Sequence, residues 1–211
     1  MNRNEDLPGW EILGHPGEQI PTYIKTLRVF SMNIPDFLSH YYEASDGPFR
    51  NLSDLPEQEA EAVLLTIRKS GDRFASQRQA DYLPIRRELE ERVRRLFIGK
   101  GGKPQRERPH YFVVGECPWL KSWYVDGCEL RIPLVKFNPE IVSFTYGDTF
   151  PAMRFMDGKP YRGQVYTLDE LPALVAEYGL PQSWNAEGKL GPERYIEAQV
   201  WDDEPLRDYL Q

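Results

Sequence analysis

Glu197 sits in the middle of Tyr195-Ile-Glu-Ala-Gln-Val-Trp201, a run that alternates apolar and polar residues. Such alternation predicts a strand with Ile196, Ala198 and Val200 on one face and Tyr195, Glu197, Gln199 and Trp201 on the other. Glutamate is disfavoured in strands. Among aromatic rings it would lose hydration and hold its proton to higher pH, which suits acid–base work or stabilisation of a developing cation. On a solvent-facing strand it would be an ordinary carboxylate, and the residues alone leave both readings open. Ser143 and Thr145 share one face of a second expected strand, Ile141 to Tyr146. Two hydroxyls at that spacing can orient a ribose or an amide. No Gly-x-Ser-x-Gly elbow accompanies them, which argues against a serine hydrolase.

A second kind of chemistry is suggested by charge. Residues 86 to 110 hold nine Lys/Arg and four Glu, a net +5 in a chain whose formal charge is −7. A basic stretch in an acidic chain points to an anionic partner, a nucleotide or a nucleic acid. Lys100-Gly-Gly-Lys103 lies within it. The glycines would let backbone amides approach a phosphate, although the run lacks Walker spacing and also reads as a helix-to-strand connector. His110, Tyr111 and Tyr124 are further candidates to line a ligand site. The three histidines are scattered and Cys117 and Cys128 lack zinc spacing, so no metal site is expected.

These residues need a scaffold. The chain has 211 residues with 40% hydrophobic and 28% charged, enough for one domain with its own core. Its 27 aromatic residues argue against disorder. The longest apolar runs span four residues, so no membrane span is expected. The first eight residues lack the regions of a secretory signal, and two unpaired cysteines fit a reducing cytoplasm.

Residues 1 to 22 read as an irregular arm, 23 to 102 as mainly helical, and 109 to 211 as mainly β with one helix. A strand is expected at Tyr23 to Phe30 and a short helix after Pro35. Two amphipathic helices follow. The first is capped by Asp54, with Ala60, Val63, Leu64 and Ile67 on its apolar stripe; the second runs to about Ile98 on Tyr82, Ile85, Leu89, Val93 and Leu96. Asp126-Gly127 predicts a two-residue hairpin between Trp119 to Val125 and Cys128 to Phe137. In that register Val125 faces Cys128, Trp123 faces Leu130 and Cys117 faces Lys136, so the cysteines stay apart. The order predicts an α+β fold, with a helical N-terminal half packed on a largely antiparallel, aromatic-rich sheet.

Tyr195-Ile-Glu-Ala-Gln-Val-Trp201 also resembles the last motif of ADP-ribosyltransferase-like proteins. With Pro109-His-Tyr-Phe112 and Ser143-Phe-Thr-Tyr-Gly-Asp148 before it, the order over residues 109 to 211 is similar to the DNA-modifying toxins of that family. The resemblance implies NAD as co-substrate. It implies Glu197 as the glutamate that stabilises the ribosyl cation, Ser143 or Thr145 as the hydroxyl, and Arg28 as the arginine. Lys100, Lys103, His110 and Tyr111 would lie on the phosphate side. The family's glutamate-x-glutamate pair is Glu197-Ala-Gln199 here. Two alternatives stand beside it: a non-catalytic module that binds nucleic acid or an acidic partner through residues 86 to 110, and an interaction protein of a toxin–antitoxin or phage-defence system.

Overall fold

The computed structural model describes residues 34–71 and 74–209. Arg28, the arm 1–22 and the strand expected at Tyr23 to Phe30 lie outside the described residues. The fold is α+β. Among the described residues six strands form one sheet whose paired strands run antiparallel: β1 (Phe37–Glu43), β2 (His110–Val114), β3 (Gly127–Pro133), β4 (Val142–Tyr146), β5 (Tyr166–Thr167) and β6 (Ile196–Val200), in the spatial order β3-β1-β2-β6-β4-β5. The helices are α1 (Glu57–Ser70), α2 (Tyr82–Gly99), α3 (Pro118–Lys121), α4 (Thr149–Arg154), α5 (Leu171–Tyr178) and α6 (Pro181–Trp184). Among the described residues no helix is long and apolar enough to cross a membrane.

One sheet face is apolar. Leu38, Phe112, Val114, Ile132, Val142, Phe144, Ile196, Ala198 and Val200 form the main core with Leu171 and Leu174 of α5. Tyr146 ties that helix down, its hydroxyl donating to the Tyr178 carbonyl at 2.6 Å. On the other face α2 and α4 pack through Leu89, Val93, Phe97 and Met153 around Trp201. β6 pairs with β2 on one side and β4 on the other, so all five of its residues are buried. Glu197 is therefore not on a solvent face.

Two expectations are corrected. The segment after Pro35 is strand β1, not a helix. It pairs with β3 from Phe37↔Pro133 to Glu43↔Gly127 and with β2 at Ser39↔Val113, so partners on both edges decide its conformation. The hairpin is absent. Pro118 starts the single turn of α3, where a missing N–H costs nothing, and β3 pairs with β1 instead. Gly127 is needed because a Cβ there would come within 2.8 Å of the Lys121 carbonyl oxygen. Its role is close approach rather than a tight turn, and the register that placed Cys117 opposite Lys136 falls with it. Both cysteines are nevertheless free thiols. Among the described residues β3 ends the sheet, and its Pro133 therefore costs no ladder hydrogen bond on the open side. In the N-terminal half, α1 and α2 are accompanied by β1, an interior strand of the sheet.

The helices follow the expected pattern with shifted faces. α1 starts after Pro56 rather than at Asp54, and ends at Gly71, whose φ of 69° stops the helix in the left-handed conformation. Ala60 and Leu64 are buried while Val63 is exposed. α2 buries Phe97 in place of Leu96, and carries Glu90 inward with it. Phe97 lies so close to the connector that a Cβ at Gly102 would be 2.5 Å from its ring.

Candidate active site

The second sheet face carries polar side chains beneath the helices. Register places Glu197 opposite Val113 of β2 and Thr145 of β4, and Gln199 opposite Tyr111 and Ser143. A cleft of about 1030 Å³ opens on this face. It is bounded by β1 and the turn after it, by α1 and α2, and by the segment Asp148 to Phe150, with Tyr195 and Glu197 at its floor.

Glu197 is 6% exposed. Its Oε1 accepts from the Thr149 hydroxyl at 2.5 Å, the Thr149 backbone N–H at 3.2 Å and the Gln199 side-chain amide at 3.2 Å. Oε2 takes part in none of these bonds and is the oxygen left for the cleft. Burial, followed by the charge of Asp148, pushes the carboxyl from its ordinary 4.5 to about 8. A proton on it is best carried by Oε2, because Oε1 already faces three donors. Asp148 stands at the start of α4. Its Oδ1 accepts from the Phe150 N–H at 2.8 Å, and its Oδ2 from the Tyr195 hydroxyl at 3.0 Å. Adjacent residues of one turn thus hold two carboxyl groups: Asp148 supplies one and Thr149 fixes the other.

Above them, Arg86 of α2 is half-buried and paired with the buried Glu90 at 2.9 Å. It also bonds the Tyr82 hydroxyl and the Asn51 side chain, each at 3.0 Å, and its guanidinium lies over the Tyr111 ring at 4.7 Å. Glu90 further accepts from Ser53 and from Tyr111, both at 2.8 Å. Burial drives the Tyr111 phenol well above its ordinary value. Tyr82 and Phe150 stack in parallel with centroids 5.1 Å apart, forming an aromatic wall.

The sequence-derived candidates fare unequally. Tyr111 and Tyr124 line the cleft with Glu197. Ser143 and Thr145 stand beside Glu197 but are fully buried, and their hydroxyls are spent within the protein. Ser143 donates to Gln199 Oε1 at 2.8 Å and accepts from the Trp201 indole at 2.9 Å; Thr145 donates to the Gly147 carbonyl at 2.9 Å and accepts from Gln199 at 3.1 Å. They position Gln199, which in turn holds Glu197. His110 lies at the cleft's edge, bonded to Asp203 at 2.7 Å. Lys100 and Lys103 are elsewhere, bridged to Glu170 and Glu140, each at 2.7 Å.

The rest of the basic segment is internally engaged as well. Arg87, Arg92, Arg94 and Arg108 donate to backbone carbonyls, Arg95 pairs with Glu91, and Arg106 spans Asp54 and Asp203. Asp148, Thr149, Gln199 and the Arg86–Glu90 pair escaped the sequence reading. Asp148-Thr149-Phe-Pro has the form of a capped helix start, and that was the one available signal. No known family model, curated protein or solved structure matches the chain.

Proposed function

We propose that this protein is an enzyme and that Glu197 is its catalytic carboxylate, acting on a ligand held in the aromatic-walled cleft. The observation that carries this reading is the division of labour within one side chain. Oε1 is fixed by three donors, none of which engages Oε2, and Glu197 lines the cleft. An immobilised, desolvated carboxyl group is preorganised for a charge that appears only during reaction.

The finer reading follows the resemblance of residues 109 to 211. The co-substrate is NAD, and the bond broken joins nicotinamide to the ribose. Nicotinamide leaves with the bonding electron pair, an acceptor or water takes its place, and the nucleophile's proton is released. Glu197 faces the ribosyl cation at the midpoint of that exchange. A cation beside it favours the ionised carboxylate and offsets the burial that otherwise keeps it protonated. Ser143 and Thr145 act behind Glu197 through Gln199.

The test is nicotinamide release from NAD, measured for wild type and Glu197→Gln with DNA, RNA and protein as acceptors. Loss of a preorganised electrostatic contact costs on the order of 10² to 10³ in rate. The variant is expected to fold normally and to lose at least that factor. Wild-type protein that neither binds NAD nor releases nicotinamide would remove the finer reading.

A further inference from the structure

The charges around the cleft floor do not balance. Asp148 and Glu197 receive hydrogen bonds only from neutral donors: Phe150 N–H and Tyr195 OH for one, Thr149 and Gln199 for the other. Among the described residues neither forms an ion pair. Arg86, whose charge reaches Glu197, is paired with Glu90 at 2.9 Å, which Arg108 also approaches at 3.7 Å. His40 at the cleft's far side is bonded on both ring nitrogens and held neutral by burial. Glu43, on β1, is already used by the backbone N–H groups of Val125 and Asp126. The floor thus presents two carboxyl groups without a cationic partner among the described residues, and the cleft is lined by Phe150, Tyr111, Tyr195, Tyr82 and Tyr124.

Aromatic rings and carboxylates together select cations. The protein displays this pairing in its own walls. The Arg86 guanidinium lies over Tyr111 while bonded to Glu90, and the Arg78 guanidinium lies 4.4 Å above the centre of Tyr82. We propose that the cleft floor is a receptor for a flat organic cation of the amidinium or guanidinium class, its N–H edge shared between Glu197 Oε2 and the Asp148 carboxylate and its faces met by the surrounding rings. Two adjacent carboxyl groups suit the forked donors of such a cation better than the single point charge of an ammonium. The inference rests on the cleft being the working site, and not on which bond is broken there.

The charged and titratable groups that act on Glu197 come from every packed element: Asp148 beside α4, Arg86 from α2, Tyr111 from β2 and Tyr195 beside β6. Burial and then the Asp148 charge favour the protonated form of Glu197, Arg86 opposes them, and an incoming cation would add to the opposing side. Cation binding should therefore expel a proton from Glu197 at neutral pH.

The probe is benzamidinium, with benzamide as its neutral isostere, titrated calorimetrically in the absence of NAD and in buffers of differing ionisation heat. The expected result is at least tenfold tighter binding of benzamidinium, with proton release below pH 8. Asp148→Asn and Glu197→Gln should each cut that preference tenfold or more, and the Gln variant should abolish the proton release. Equal binding of the two probes, or no binding of benzamidinium at millimolar concentration, would overturn the inference even if the variants fail to fold, because that comparison uses wild type alone. NAD cleavage without cation preference defeats this inference only, whereas cation preference without NAD cleavage defeats only the finer reading above.

Discussion

Thr149 and Glu197, forty-eight positions apart, meet through two hydrogen bonds on a single carboxylate oxygen, one from the Thr149 hydroxyl and one from its backbone N–H. The contact joins the first turn of α4 to the middle of β6. It fixes the χ angles of a glutamate that would otherwise sample several rotamers. It also leaves Asp148, the preceding residue, beside the same group. The consequences of that geometry can be measured.

Glu197 makes stability depend on pH. Its folded value of about 8 lies above the ordinary 4.5. Between these values the folded protein keeps a proton that the unfolded chain has lost, so this contribution falls as pH rises from about 4.5 through about 8. The drop in melting temperature between pH 6 and pH 8.5 should be smaller for Glu197→Gln than for wild type. Parallel pH profiles for the two proteins would mean that Glu197 ionises normally.

His40 acts in the opposite direction. Its Nε2 accepts from the Phe49 N–H at 3.0 Å, so the proton must sit on Nδ1, which donates to the Tyr111 carbonyl at 2.8 Å. Burial lowers the imidazole to about 4 from 6.5. The stability it supplies is complete above 6.5 and is lost as pH falls toward 4, a change of roughly 3 kcal/mol. Imidazole nitrogen shifts should report a neutral Nδ1–H tautomer at pH 5.5. A protonated ring at that pH would contradict the assignment.

Gly102 should tolerate no side chain. Gly102→Ala places a methyl group within van der Waals overlap of the Phe97 ring, and is expected to cost roughly 1–3 kcal/mol. Gly99→Ala at the end of α2 meets nothing within 4 Å and should be neutral or slightly stabilising. Denaturant unfolding of both variants decides the matter, and equal stability would place Phe97 elsewhere.

The basic segment should behave as internal reinforcement. Arg106 bonds Asp54 and Asp203 and is 19% exposed, whereas Lys103 is 65% exposed. Arg106→Ala should cost about 1–3 kcal/mol, and Lys103→Ala no more than ~1 kcal/mol. Polyanion binding should be weak and only shallowly dependent on salt. A steep salt dependence that alanines at Lys100, Lys103, Arg106 and Arg108 flatten would instead establish residues 86 to 110 as a nucleic-acid interface.

Thiol reactivity should split in two. Cys117 is buried, and burial raises its thiol above the ordinary value, while Cys128 is half-buried. Native protein should show one faster-reacting thiol, removed by Cys128→Ser, and denatured protein two. Two fast thiols in the native state would place Cys117 at the surface.

The sequence by itself determined those elements whose pattern is local. Alternation marked β6 and the face on which Glu197 lies, and helical spacing located α1 and α2. Pairing partners were not local. Phe37 to Glu43 became a strand because β2 and β3 flank it, and Asp126-Gly127 failed as a hairpin because Gly127 serves close approach to α3. The same limit applied to the site. Glu197 could be picked out as a carboxylate misplaced by propensity, and Tyr111 and Tyr124 as possible walls. Only tertiary structure decided that Ser143 and Thr145 bond Gln199, that Lys100, Lys103 and Arg106 of the basic segment pair with distant acids, and that Thr149 closes upon Glu197 with Asp148 beside it. A side chain's chemistry depends on its hydration and its charged neighbours, and both are set by chain segments brought together in space rather than by residues adjacent in sequence.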